Sequence, residues 1–171
     1  MSYDIDKIVS DVVKQVLGQS SSDVKTTAAV RNSMTKMTLE AAKKTIEAVE
    51  KKAKEMGVKA VTAIADAGGN PIAVECMDDA FIASYDIAVN KAFTVVSLKM
   101  PTKNLASLAA PGGSLYGIQF TNNGKIIIFG GGEPLMNKDG VIIGGLGVSG
   151  GTAEQDTLLG EFGKAFFESL V

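Results

Sequence analysis

The chain has 171 residues, 46% of them hydrophobic, and a formal net charge of −2 at pH 7, enough for one good core and with no basic block to suit nucleic acid. Histidine is absent and cysteine occurs once, which excludes an imidazole base, a Ser-His or Cys-His pair, a histidine ligand to metal or haem, an internal disulfide and a cysteine-built zinc site. A lone cysteine fits a reducing cytosol, and a single arginine, Arg31, leaves little capacity for bidentate clamps on phosphate or carboxylate.

In chain order, residues 1–18 predict an amphipathic helix. Ile5, Ile8, Val9, Val12, Val13, Val16 and Leu17 recur at helical spacing, Asp4, Asp6 and Asp11 suit its positive end, and Gly18 is a stop. With acids, lysines and no long apolar run, the helix is neither a secretory signal nor a membrane span. The polar run Gln19 to Asp23 opens a linker over 19–36, and one domain is expected over 37–171. A sticky helix on a leash reads as a targeting or docking peptide. The alternative is a helix that packs on its own domain or pairs across an oligomer.

Thr38 is positioned to cap a helix to about Met56, with Ala42, Ile46, Val49 and Ala53 inward and a lysine- and glutamate-rich outer face. Val58 to Ala65 and Pro71 to Met77 read as strands joined at Asp66-Ala67-Gly68-Gly69-Asn70. Ala80 to Leu98 reads as a helix burying Ile82, Tyr85, Val89, Phe93 and Val96, with Asp78 and Asp79 as its caps and dipole partners. A short helix follows from Thr102 to Leu108, and strands are expected at Lys125 to Phe129, Pro134 to Met136 and Val141 to Val148. Asn137 to Gly140 form a hairpin turn, and a closing helix begins at Thr152. Hairpins rather than crossovers predict an α+β fold with an antiparallel sheet of about five strands flanked by helices.

Gly145-Leu146-Gly147-Val148-Ser149-Gly150 matches G-x-G-x-x-G, but no second parallel strand follows to close a dinucleotide-binding unit. The glycines instead predict a close approach of a helix or a partner subunit to the sheet. Gly150, Gly151 and Thr152 could offer backbone donors to an anion. Lys91 is expected to pair with an acid such as Asp78 or Asp156, and Cys76 to be a small buried residue on a strand or a thiolate ligand.

Several motifs, in order, carry a resemblance: Asp66 to Asn70; Cys76-Met77-Asp78-Asp79-Ala80; Ile87-Ala88-Val89-Asn90-Lys91-Ala92; Gly131-Gly132-Glu133-Pro134-Leu135; Gly144 to Gly151; and Glu154-Gln155-Asp156. Over about Met37 to Val171 the chain resembles the GlcG/HbpS haem-binding family, the module that also forms the C-terminal domain of PduO proteins of propanediol microcompartments. The resemblance implies a profilin-like fold, self-association, and binding of haem or a corrinoid near Asn70, Cys76, Lys91, Thr102 and Glu133. Asn70 stands where many members have histidine, and Cys76 where they have arginine. A haem iron would therefore take Cys76, Met77, Tyr85, Lys91 or Thr102, or stay open, with Cys76 the strongest ferric ligand. Gly131, Gly132 and Glu133 mark a bend that a ligand could approach. Residues 3–18 resemble the encapsulation peptides that carry enzymes into bacterial microcompartments. Three readings follow, in order: a cofactor-binding accessory protein that is cargo in a cytoplasmic microcompartment lumen, touching the shell or other cargo through its first helix; an enzyme of haem or cobalamin chemistry; and an oligomerising structural cargo protein without cofactor. None of them calls for a membrane.

Overall fold

The structure, a computed structural model, describes residues 34–171. The predicted targeting helix, with Ile5, Ile8, Val9, Val12, Val13, Val16 and Leu17, and nearly all of the linker lie outside the described residues.

Helix α1 (Leu39–Glu55) starts where Thr38 Oγ1 accepts the Ala41 N–H at 3.2 Å, and it buries Ala42, Ile46, Val49 and Ala53 completely. Strands β1 (Val61–Asp66) and β2 (Pro71–Cys76) form an antiparallel hairpin. Asp66 Oδ1 closes its turn by accepting the Gly68 and Asn70 N–H groups at 2.8 and 2.9 Å. Helix α2 (Ile82–Leu98), a 3-10 turn (Thr102–Asn104) and the short helix α3 (Leu105–Leu108) follow. Strands β3 (Gly132–Met136) and β4 (Ile142–Ser149) make the second hairpin, around an Asn137 side chain that accepts the Asp139 and Val141 N–H groups. Helix α4 (Ala153–Leu170) opens with a reciprocal capping box between Thr152 and Gln155.

The sheet is antiparallel throughout, in the order β2-β1-β4-β3. Its two edge strands carry the prolines Pro71 and Pro134, whose missing N–H groups suit an edge. One face packs on α1 and α4 through Ile46, Val49, Ile64, Leu146, Leu159 and Phe167; the other packs on α2 through Val61, Ala63, Ala65, Ala88 and Ala92. The fold is therefore α+β as expected, with four strands among the described residues rather than five.

The missing strand is Lys125 to Phe129, which has no ladder partner. Thr94 Oγ1 on α2 accepts the Ile127 N–H at 3.0 Å and lies 3.2 Å from the Lys125 carbonyl, so a side chain takes the place of a neighbouring strand. The predicted face of α2 also needs correction. Of the expected residues Val96 is buried, but Ile82 is 97% exposed, Tyr85 is exposed, and Val89 and Phe93 are half-buried; Ser84, Ala88, Lys91, Ala92 and Val95 are also buried. The cause lies on β4. A Cβ at Gly145 or Gly147 would run into the α2 backbone at Ala92 and Ala88, so the helix rests directly on a strand without side chains. At that separation the small residues Ala88 and Ala92 sit over the glycines, and Ile82 and Tyr85 turn outward. The acids before α2 do not cap it: Phe81 occupies the cap position without a side-chain bond, and Asp79, at φ 62°, pairs with Lys59 at 2.7 Å.

Candidate functional site

The structure distributes the nine predicted cofactor residues over four places. Lys91, Thr102, Gly131, Gly132 and Glu133 meet where α2, β3 and α4 converge. Lys91 is completely buried; its Nζ donates to Asp156 Oδ2 at 2.8 Å and to the Val148 carbonyl at 2.6 Å, and it lies 4.8 Å from the centroid of the Phe129 ring. Burial pulls the Lys91 pKa below the ordinary lysine value, and Asp156 opposes that pull. Asp156 Oδ1 in turn accepts the Gly151 N–H at 2.9 Å. Gly131, at φ 110°, passes over this pair where a Cβ would sit 2.7 Å from Lys91 Nζ. Thr102 Oγ1 accepts the Gly132 N–H at 2.9 Å. The polar atoms of Lys91 and Thr102 thus make hydrogen bonds within the protein itself. Glu133 is 3% exposed and its Oε1 has no hydrogen-bond partner; burial raises its pKa above the ordinary carboxylate value.

Asn70 belongs to the β1–β2 turn, where its amide lies 3.2 Å from both carboxylate oxygens of Asp66. Tyr85 projects from the exposed side of α2. Cys76 and Met77 lie at the far end of β2 from Asn70, about 20 Å away along an extended strand. These four do not join the first group, and Asn70 and Cys76 do not share a site.

Cys76 carries an exposed free thiol rather than a buried one, and it borders a cavity of about 510 Å³ between the C-terminal end of α1 and the residues after β2. Gly57, Val58 and Met77 line it, together with Lys54, Lys59, Glu50, Asp78 and Asp79, and Lys59 is paired with Asp79 at 2.7 Å. Met77 Sδ accepts the Ala60 N–H at 3.3 Å, so of the two sulfurs the thiol is the unengaged one. Sequence reasoning missed Lys54 and Lys59. The first sits in a charged helix face that any solvated helix shows, the second at the start of an apparent strand, and nothing in their spacing joins them to Cys76. The anion expected at Gly150 to Thr152 finds those donors taken: the Gly151 N–H by Asp156 and the Thr152 N–H by Gln155 Oε1 at 2.9 Å. No group of three or more Cys, Asp or Glu arranged for a metal ion occurs among the described residues, and no described helix is long and apolar enough to cross a membrane.

With the geometry in place, comparison with known proteins identifies the family and the fold. Residues 37–163 match the family model described as haem degrading protein HbpS-like. A 15.0 kDa protein from the dhaT-dhaS intergenic region of Citrobacter freundii is 48% identical over 134 residues, covering 78% of this chain and 94% of that protein. The corrinoid adenosyltransferase PduO of Salmonella typhimurium is 41% identical over 109 residues, 64% of this chain, which spans about a third (32%) of PduO. Among solved structures, a complex of PduOC with haem superposes with a TM-score of 0.73 at 35% identity, covering 76% of this chain and 94% of that one. The antiparallel sheet, the glycine-floored α2 and these matches over most of the domain lead to one conclusion: the chain belongs to the HbpS-like family.

Proposed function

We propose that the protein is a haem-binding accessory protein that holds the cofactor in the cavity beside Cys76. The observation that carries this reading is the exposed, unengaged thiol at the mouth of a cavity whose volume lies within the range of small-molecule sites. The donor set fits haem: a soft sulfur for iron, and two ammonium groups, Lys54 and Lys59, for the propionates. The PduOC relative in complex with haem supports the same ligand class. Bound haem supplies a redox-active iron. The chain's own contribution is to present the Cys76 sulfur, to orient the propionates, and to release Lys59 from Asp79 so that it can receive one of them.

Titration of the full chain with haem is expected to give a saturable absorbance change at one equivalent. Cys76→Ala should shift the band positions and weaken binding about tenfold, or 1.4 kcal/mol. Unchanged bands would remove Cys76 from the site, and no saturable change would remove haem. Cobalamin is the parallel arm, since a corrinoid is the alternative ligand supported by the PduO relation. Turnover with a reductant would favour the enzymatic reading.

The finer reading is that the protein is a self-associating microcompartment cargo. Phe81, Ile82 and Tyr85 form an exposed apolar face on α2 that supports self-association, and residues 1–18 have the pattern of a targeting helix. A fluorescent protein fused to residues 1–18 is expected to co-purify with microcompartments. If it stays in the soluble fraction, the structural role of the first helix has to lie elsewhere.

A further inference from the structure

A second titratable group stands apart from the Cys76 cavity. Glu133 lies on the α4 side of β3, buried, with Oε1 unpartnered. Two contacts define its surroundings. Thr102 accepts the Gly132 N–H, so the two segments meet one residue before Lys103 and Glu133. Helix α4 crosses at Gly160, where a Cβ would lie only 3.4 Å from Glu133 Cγ.

The charged groups around Glu133 are Lys103 from the 3-10 turn, and Glu161, Lys164 and Glu168 from α4. From α2 comes Lys91, already closed on Asp156 of α4, and β4 has no charged residue. Lys164 is held by Glu168 at 2.6 Å, one turn along the same helix. Lys103 is held by Glu161 in a half-exposed pair. Lys103 is therefore the cation whose long stem can serve either carboxylate.

We propose that Lys103 exchanges partners between Glu161 and Glu133 as Glu133 gains or loses its proton, and so sets the charge at the rim of the adjoining groove. That groove, of about 450 Å³, is lined by Lys103 itself with Ala106, Phe129, Thr157 and Leu158, and Glu154 is its one acid. With Glu133 protonated, Lys103 neutralises Glu161, and the three groups sum to zero charge. When Glu133 releases its proton to solvent, a buried carboxylate with one oxygen unpartnered favours an incoming cation. Lys103 turns inward to it, Glu161 is left open to water, and the rim gains one negative charge. Burial holds the Glu133 pKa above its ordinary value while Lys103 draws it down, and Glu161 draws the Lys103 pKa upward. The linkage has a definite sign. A carboxyl whose folded pKa is raised makes stability fall as pH rises from the ordinary carboxylate value through the folded one.

The test is carboxyl and ammonium NMR of the full chain against pH. Glu133 is expected to titrate above the ordinary glutamate range, with the Glu161 and Lys103 signals moving at the same midpoint. Glu133→Gln, nearly isosteric, should abolish that common inflection and the decline in stability. Glu161→Gln, at an exposed position, should leave Lys103 to Glu133 and lower the Glu133 midpoint by about one unit, a tenfold change in proton affinity. An ordinary Glu133 midpoint, a Lys103 signal that does not move with Glu133, or an unmoved midpoint in Glu161→Gln would each overturn the exchange. None of these outcomes depends on haem.

Discussion

Lys91→Met is expected to cost about 3–5 kcal/mol of folding stability, the largest effect of any single change in the domain. Lys91 and Asp156 are both buried, and each is the other's charge partner. Removing the ammonium leaves the Asp156 carboxylate in a low-dielectric site with one hydrogen bond, from Gly151, and strips the Val148 carbonyl of its side-chain donor. The pair also joins α2 to the start of α4 beneath the bend at Gly131, so its loss should loosen that bend. Urea unfolding of the variant measures the cost. The double variant Lys91→Met, Asp156→Leu should recover much of it, because two apolar side chains need no partner. A single variant within 1 kcal/mol of the parent would mean that water reaches Asp156 freely.

The second large effect is expected at β4. Gly147→Ala places a Cβ against the Ala88 carbonyl, 2.7 Å from the Ala92 nitrogen and 2.9 Å from Lys91 Cβ. Two of these obstacles belong to the backbone of α2, so no rotamer change relieves them and the helix itself has to shift. Overpacking of this kind costs about 1–3 kcal/mol. With a drop in Tm of about 2–4 °C per kcal/mol for a domain of this size, the change is readable by thermal melting. A melt within a degree of the parent would show that α2 rides on the sheet more loosely than the geometry indicates.

The two substitutions bear on how much of the molecule was legible in the chain. Thr38, Thr152, Asp66 and Asn137 act within four residues of themselves, and each makes the cap or turn its identity implies. The glycines of β4 also announced a close packing partner. Lys125 to Phe129 looked like a strand because its apolar, β-branched run fits one, yet strand formation needs a neighbour, and Thr94 had already taken up the Ile127 N–H. For α2, periodicity showed an amphipathic helix but weighted large side chains over small ones. The glycine floor reversed that order, burying Ala88 and Ala92 and exposing Ile82 and Tyr85.

By itself, then, the sequence determined the order and kind of the elements apart from Lys125 to Phe129, the antiparallel hairpins, the absence of imidazole chemistry and the family resemblance. These depend on residue type and short spacing, which a linear chain displays directly. The tertiary structure alone decided which residues share a site. It closed Lys91 on Asp156 across 65 positions, separated Asn70 from Cys76, and brought Lys54 and Lys59 to the thiol. Such proximity comes from packing between elements distant in the chain, and no local pattern encodes it.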